Sequence, residues 1–228
     1  MASQSARPAV GVENLDDFIA AFAVSRETAG RLKVYADLLA TWQKTINLVA
    51  PSTLAEVWQR HIADSAQIFE LAPVGAMRWA DLGSGAGFPG LVLAILLADR
   101  TGVRLSLVES DSRKCAFLAE VVRKTGIAQR IAVEIVNARI ETAATQARLG
   151  PVDVITARAL APLERLCELS VGLFGPGTVA LFLKGREALA EVEAAAKSWQ
   201  FEFESCVSLT DPSAQVIRIR GLVAKTGS

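Results

Sequence analysis

The residues with the clearest chemical capacity lie in Asp81-Leu-Gly-Ser-Gly-Ala-Gly-Phe-Pro-Gly90, where an apolar run turns through glycines and a second apolar run begins. Gly83, Gly85 and Gly87 have no Cβ, so this turn can adopt positive φ and bring main-chain N–H groups close to a ligand. Two ligand classes fit the letters. Gly85 to Gly90 matches the GxGxxG turn of dinucleotide enzymes, and Asp81 to Gly87 matches the DxGxGxG turn that binds S-adenosylmethionine (SAM). A dinucleotide places its pyrophosphate on free N–H groups of the first helical turn, and Pro89 removes one of them. SAM carries no phosphate, so Pro89 is then simply a suitable first helical residue. This favours SAM and leaves the dinucleotide open.

Other candidates follow the ends of apolar runs, where an open parallel sheet places its ligand. Glu109 follows the second run and offers a carboxylate to ribose hydroxyls, as both cofactor classes require. Asn137-Ala138-Arg139-Ile140-Glu141 follows the third, where Ile140 can supply apolar contact to a base. Its bland reading is a helix start with Glu141 favourable to the dipole. Arg158 follows the fourth run, with a planar fork suited to a carboxylate or phosphate. Lys184 and Arg186 follow the fifth. Arg139, Arg158, Lys184 and Arg186 are thus expected around one crevice, against a solvated-surface reading of Lys184 and Arg186. No general base is evident among these positions. His61, with Asp64 and Ser65 one turn on, is a further candidate for substrate or cofactor contact, against a structural role.

The elements that must position these residues fall into two parts. Residues 1–11 read as a flexible tail. Residues 12–72 read as a helical appendage: a short helix over Leu15 to Val24, a longer one capped by Ser25 with Leu32, Tyr35, Ala36, Leu39 and Trp42 at helical spacing, and a third from Leu54 to Leu71. From residue 73 the rhythm alternates strand and helix, the pattern of a parallel sheet covered by helices. Strands are expected at 78–82, 103–108, 131–136, 152–156 and 178–183, with helices at 89–99, 111–125, 140–148, 160–173 and 186–198. Two strand-like runs, 201–209 and 215–223, close the chain as a hairpin, which adds an antiparallel strand. The expected fold is α/β, Rossmann-like, with a mostly parallel seven-stranded sheet. The hairpin ending is usual for SAM-dependent methyltransferases.

Lys plus Arg and Asp plus Glu balance at 24 each, which argues against coating nucleic acid by bulk charge. Met1 to Gly11 has no apolar signal region, and the longest apolar run, Leu91 to Ala98, is too short to cross a bilayer, so a cytoplasmic location is expected. Cys115, Cys167 and Cys206 show no metal-ligand spacing and read as small core residues, and with a single histidine no metal is expected.

Taken together, Asn47-Leu48-Val49, Arg60-His61-Ile62-x-Asp64-Ser65, the Asp81 to Gly90 turn, Arg139-Ile140-Glu141, Arg158-Ala159 and Leu183-Lys184-Gly185 occur in an order and spacing that resembles the GidB (RsmG, glucose-inhibited division protein B) family over roughly residues 30 to 222. The resemblance implies methyl transfer from SAM to N7 of a guanine in the 530 loop of 16S rRNA, within the 30S subunit or its assembly intermediate. It implies cofactor contacts at Gly83, Phe88, Ile140, Glu141 and Arg158, with Glu109 at the ribose position. Glu109 stands where many members have Asp, and Ala157 where Ser is common. A small-molecule methyltransferase of the same fold is one alternative. An NAD(P) oxidoreductase is another, although the single tyrosine, Tyr35, lacks the Tyr-x-x-x-Lys partner because residue 39 is leucine.

Overall fold

The computed structural model describes residues 10–225, so the expected tail at 1–11 lies, for its first nine residues, outside the described residues. The chain begins with α1 (Leu15–Phe22) and α2 (Arg26–Trp42). Asn14 caps the first, its side chain accepting from the amides of Asp16 and Asp17, and α1 ends at Ala23 in the left-handed region. Ser25 caps the second by accepting from the Thr28 amide. The third expected helix is not continuous. A one-turn 3-10 helix at Pro51–Thr53 is followed by a π-helical stretch at Trp58–Ala63, then by α3 (Asp64–Ala66) and α4 (Ile68–Leu71). Side chains claim carbonyls here: Ser65 Oγ donates to His61 O at 2.6 Å and Arg158 donates to Arg60 O at 2.9 Å, and the widened turn accommodates both.

The alternating part runs β1 (Arg78–Leu82), α5 (Gly90–Leu96), β2 (Arg104–Glu109), α6 (Ser112–Thr125), β3 (Ala132–Asn137), α7 (Ala143–Leu149), β4 (Val154–Arg158), α8 (Leu163–Ser170), β5 (Val179–Lys184), α9 (Ala188–Ser198), β6 (Trp199–Val207) and β7 (Gln215–Ala224). Among the described residues seven strands form one sheet in the order β3-β2-β1-β4-β5-β7-β6. The first five are parallel, and β7 inserts antiparallel between β5 and β6. Pro89 takes the position just before α5 rather than its first residue. α7 starts three residues later than expected because Thr142 Oγ1 accepts from the Thr145 amide and sets the boundary there.

β2, β3, β4 and β5 each run past the end of their apolar pattern and finish on Glu109, Asn137, Arg158 and Lys184. The backbone of such a residue still pairs in the sheet (Glu109 opposite Asn137, Arg158 opposite Leu183) while its side chain is polar, meeting the crevice at Glu109, Arg158 and Lys184 and bonding to Ser112 and the carbonyls of Glu109 and Ser110 at Asn137, so hydropathy alone cuts the strand short.

One core joins the N-terminal helices to one face of the sheet, with Phe18, Leu32, Tyr35, Leu39, Ile62 and Ile68 packed in the same cluster as Leu91, Leu93, Leu107, Val154 and Leu181. The other face is covered by α7 to α9 around Leu82, Ile155, Leu166, Phe182 and Val192. Cys115 and Cys167 are buried, and among the described residues no disulfide is formed. Burial pushes the Cys167 thiol up to about 12. Cys167 is therefore expected to stay unmodified when the folded protein is treated with iodoacetamide at pH 8 and to react after denaturation; mass spectrometry of its peptide reads the difference. Among the described residues no helix is long and apolar enough to cross a membrane, and no group of three or more His, Cys, Asp or Glu is placed to hold a metal ion.

Candidate active site

At the carboxyl ends of β1, β2 and β4 lies a cavity of about 430 Å³ whose lining includes Gly83, Gly85, Phe88, Glu109, Arg139, Ile140, Glu141 and Arg158. Its floor is the glycine turn, in which Gly83, Gly85 and Gly87 have φ of 66°, 56° and 95°. At Gly87 a side chain would be strained by that φ and would place Cβ 2.9 Å from the Tyr35 hydroxyl. At Gly90 a Cβ would lie 2.6 Å from Asp81 Oδ2. Asp81 is buried beneath the turn and its Oδ1 accepts from Thr156 Oγ1 at 2.7 Å, tying β1 to β4. Burial outweighs that hydrogen bond and raises the Asp81 carboxyl to about 6. Tyr35 braces the turn from α2: its hydroxyl donates to Ala86 O at 2.6 Å and its ring stacks on Phe88 at 5.1 Å.

Glu109 holds the loops together. Its Oε2 accepts from the Gly85 amide at 2.9 Å and its Oε1 from the Asp111 amide at 2.8 Å. Each oxygen keeps a further lone pair for a ribose hydroxyl. Ile140 is nearly buried against the same space, while Arg139 and Glu141 stand more open, 3.8 Å from each other.

Arg158 marks the boundary to a second, adjoining cavity of about 530 Å³. Its Nη1 donates to Arg60 O at 2.9 Å and lies 3.4 Å from Asp64 Oδ2, its Nη2 lies 2.9 Å from His61 Nδ1, and its guanidinium sits 5.0 Å from the Phe88 ring centroid. These contacts use three of the five N–H donors, leaving two for a ligand. Burial raises the Asp64 carboxyl while Arg158 and the hydroxyls of Thr210 and Ser208 oppose the rise. His61 stacks on Phe88 at 5.0 Å, so Phe88 meets both the imidazole and the Tyr35 ring. Burial, and then the positive charges of Arg158 and Arg60, lower the imidazole to about 3.

His61 consequently links stability to pH. The unfolded chain takes up a proton near the ordinary value of 6.5, whereas the folded chain refuses it until about 3. Stability from this group is fully present above pH 6.5 and lost as pH falls toward 3. Asp81 has the opposite sign: its folded value of about 6 exceeds the ordinary 3.8, so its contribution declines as pH rises between them. Comparing melting temperature against pH for the wild type and His61→Gln isolates the histidine. The gap between the two curves is expected to be constant above pH 6.5 and to shift in favour of the variant below it; parallel curves down to pH 4 would contradict a neutral, buried His61.

The structure divides the four cations expected around one crevice. Arg139 and Arg158 line the first cavity, Arg158 and Lys184 line the second, and Arg186 is exposed and lines neither. Lys184 is committed: its Nζ is 2.5 Å from Glu191 Oε2 and donates to Ala161 O at 2.9 Å. His61 lines the second cavity and carries Arg158 on its ring nitrogen.

Several site residues had no chemical signal in the sequence. Leu48 and Val49 line both cavities and form a roof where they meet. Gln43 suspends that roof: its Oε1 accepts from the amides of Leu48 and Val49 at 3.0 Å each, and its Nε2 donates to Val49 O at 2.8 Å. Ala159, also common to both cavities, has φ of 52°, a conformation rare outside glycine, and Leu160 beside it packs over Gly83. The bare Asn47-Leu48-Val49 match was the available hint.

Comparison with known proteins bears on this arrangement. The family profile GidB, described as rRNA small subunit methyltransferase G, matches residues 28–217. The chain belongs to the GidB family. A GidB relative from Parvibaculum lavamentivorans, named ribosomal RNA small subunit methyltransferase G, is 49% identical over 216 residues, covering 95% of this chain and 93% of that protein. One of the same name from Paramagnetospirillum magneticum is 52% identical over 197 residues, covering 86% and 90%. Among solved structures, an O-methyltransferase from Bacillus cereus in complex with SAH superposes with a TM-score of 0.54 at 13% identity, covering 90% of this chain and 96% of that one. The fibrillarin/Nop5p complex gives 0.51 at 13%, covering 68% and 78%. The superposition on the O-methyltransferase shows that this chain has the fold of that enzyme.

Proposed function

We propose that this chain is an rRNA methyltransferase that takes SAM in the first cavity and transfers its methyl group to N7 of a guanine in the second. The carrying observation is the seam between the cavities. The residues lining both are Leu48, Val49, Arg158 and Ala159: three are apolar and Arg158 has only hydrogen-bond donors, so none offers a general base. Guanine N7 bears an in-plane lone pair and no proton, so its methylation needs no base there.

The first cavity fits SAM. Glu109 offers lone pairs at the ribose position, Ile140 an apolar wall for adenine, Arg158 two free N–H groups for the methionine carboxylate, and the open space over Gly85 is room that a side chain would fill. When bound, SAM supplies an electrophilic methyl on sulfonium sulfur. The N7–carbon bond forms as the carbon–sulfur bond breaks, the sulfur keeps the bonding pair, and the purine takes the positive charge. The chain's contribution is placement: the glycine turn and Glu109 hold the donor, Leu48 and Val49 exclude water from the seam, and Arg158 is held in place by Asp64 and Arg60 O.

N7 lies on the edge that faces the deep, narrow groove of an A-form duplex, so the acceptor must be unpaired or looped. A guanine of the 530 loop of 16S rRNA meets that condition. The balanced charge of 24 against 24 supports a structured 30S particle or assembly intermediate as substrate rather than bare RNA, with the helices of residues 12–72 as an added contact surface. The test is to incubate the protein with labelled SAM and 30S subunits from a strain lacking the activity, then analyse nucleosides by mass spectrometry. The expected product is 7-methylguanosine in a 530-loop fragment; its absence overturns the assignment. Equal activity on protein-free rRNA would remove the particle requirement.

A further inference from the structure

A one-way hydrogen-bond chain runs through the site. An arginine only donates, so Arg158 Nη2–H must point at His61 Nδ1, which therefore bears the lone pair. The neutral imidazole then carries its proton on Nε2, 2.8 Å from Thr53 Oγ1. Thr53 has one hydroxyl proton and spends it on Ala50 O at 2.8 Å, so its oxygen accepts from His61. Every member has a single consistent role: Arg158 to His61, His61 to Thr53, Thr53 to Ala50. Ala50 directly follows the roof pair Leu48 and Val49, and it and Thr53 line the acceptor cavity.

We infer that Thr53 is a positioning residue for methyl transfer, fixing the roof over the seam relative to Arg158. The inference rests on the methyltransferase reading of the two cavities. The roof is then pinned from two sides, by Gln43 at the end of α2 and by the Thr53 hydroxyl answering to His61. Gln43 fixes the backbone of Leu48 and Val49 whatever the seam contains. Thr53 ties the same loop to Arg158, the group that borders donor and acceptor together. Loss of that tie leaves the donor cavity's floor intact, because the glycine turn and Glu109 do not depend on it. The roof is instead free to sit off the geometry that brings N7, carbon and sulfur into line, and displacements of about 1 Å cost about 100-fold in such reactions.

Thr53→Val keeps the side-chain volume and removes the hydroxyl, while Thr53→Ser keeps the hydroxyl and removes the methyl. The chain contains one histidine, so nitrogen-15 spectra of labelled histidine report His61 alone. The wild type is expected to show a bare Nδ1 and a protonated Nε2 whose proton exchanges slowly with water. Thr53→Val is expected to lose that protection and to lower kcat on 30S subunits by about 30-fold, with affinity for S-adenosylhomocysteine by calorimetry within about 3-fold of the wild type. Thr53→Ser is expected to keep both signals. A proton on Nδ1 in the wild type, or full kcat in the valine variant, overturns the relay. Loss of kcat in the serine variant with full kcat in the valine variant identifies packing as the role of Thr53 and overturns it equally. The imidazole spectra are read without turnover, so failure of the relay and failure of the methyl-transfer reading appear separately.

Discussion

Replacing Arg158 with alanine is expected to weaken S-adenosylhomocysteine binding by about 100-fold and to lower unfolding stability by about 3 kcal/mol, the range seen when one partner of a buried ion pair is removed. Both losses come from the same geometry. Asp64 and Arg158 have side chains only 17% exposed each, so the carboxylate left behind has little water to replace the guanidinium. Burial already raises the Asp64 carboxyl, and the charge of Arg158 is the largest of the influences that oppose the rise. His61 Nδ1 and Arg60 O lose their donors at the same time. Lysine does not replace the arginine here: the contacts at Arg60 O and His61 Nδ1 use two nitrogens of a planar fork, and a single ammonium reaches one geometry less well. Pairing Arg158→Ala with Asp64→Asn removes the stranded charge and is expected to recover part of the stability and none of the cofactor affinity. Denaturant unfolding and calorimetry measure the two separately. Unchanged affinity in the single variant would sink the role of Arg158 at the donor, and unchanged stability would show the pair with Asp64 to be solvated.

Gly85→Val is expected to lower S-adenosylhomocysteine affinity by 100-fold or more, with a smaller stability cost of about 1–2 kcal/mol from placing a side chain in the left-handed region. The position has φ of 56°, and the nearest atom to an added Cβ is Gly83 O at 3.7 Å. The new side chain therefore meets little protein and occupies space at the rim of the donor cavity, which Gly85 lines. Backbone readjustment would also disturb the Gly85 amide that donates to Glu109, so the Glu109 carboxylate, proposed for the ribose, moves with the turn. Gly87→Val differs in kind. Its Cβ would press on the Tyr35 hydroxyl and the Leu91 side chain, so folding is damaged before binding is read. A Gly85→Val protein that melts within a few degrees of the wild type yet binds cofactor fully would show that the donor does not pass over this turn.

The elements were largely legible because their causes are local. Ser25 starts α2 where a capping side chain was expected, and Leu32, Tyr35 and Leu39 are buried at the spacing of one helical face. The closing hairpin inserts antiparallel as its two apolar runs and the intervening Thr210-Asp211-Pro212-Ser213 suggested. The stretch from 54 to 71 was less legible: Arg158, about a hundred residues away in sequence, donates to Arg60 O, and no local pattern reports that a distant guanidinium will claim a helix carbonyl. The strand ends at Glu109, Asn137, Arg158 and Lys184 are hidden from hydropathy for a related reason, since polar side chains break the apolar rhythm of strands whose backbone pairing continues.

The sequence by itself determined the order of strands and helices, the position of the glycine turn, and membership of the GidB family, because each is written in residue types whose spacing carries the constraint. Tertiary structure decided how the charges are spent. Lys184 pairs with Glu191, Arg158 is shared among Asp64, His61 and Arg60 O, and Arg186 remains exposed at the surface. It also joined Leu48, Val49 and Ala159, three residues with no reactive group, into the seam between two cavities. Charge and hydrogen bonding act over a few ångströms in space, and residues brought that close by the fold lie far apart along this chain: His61 and Arg158 are separated by 97 positions.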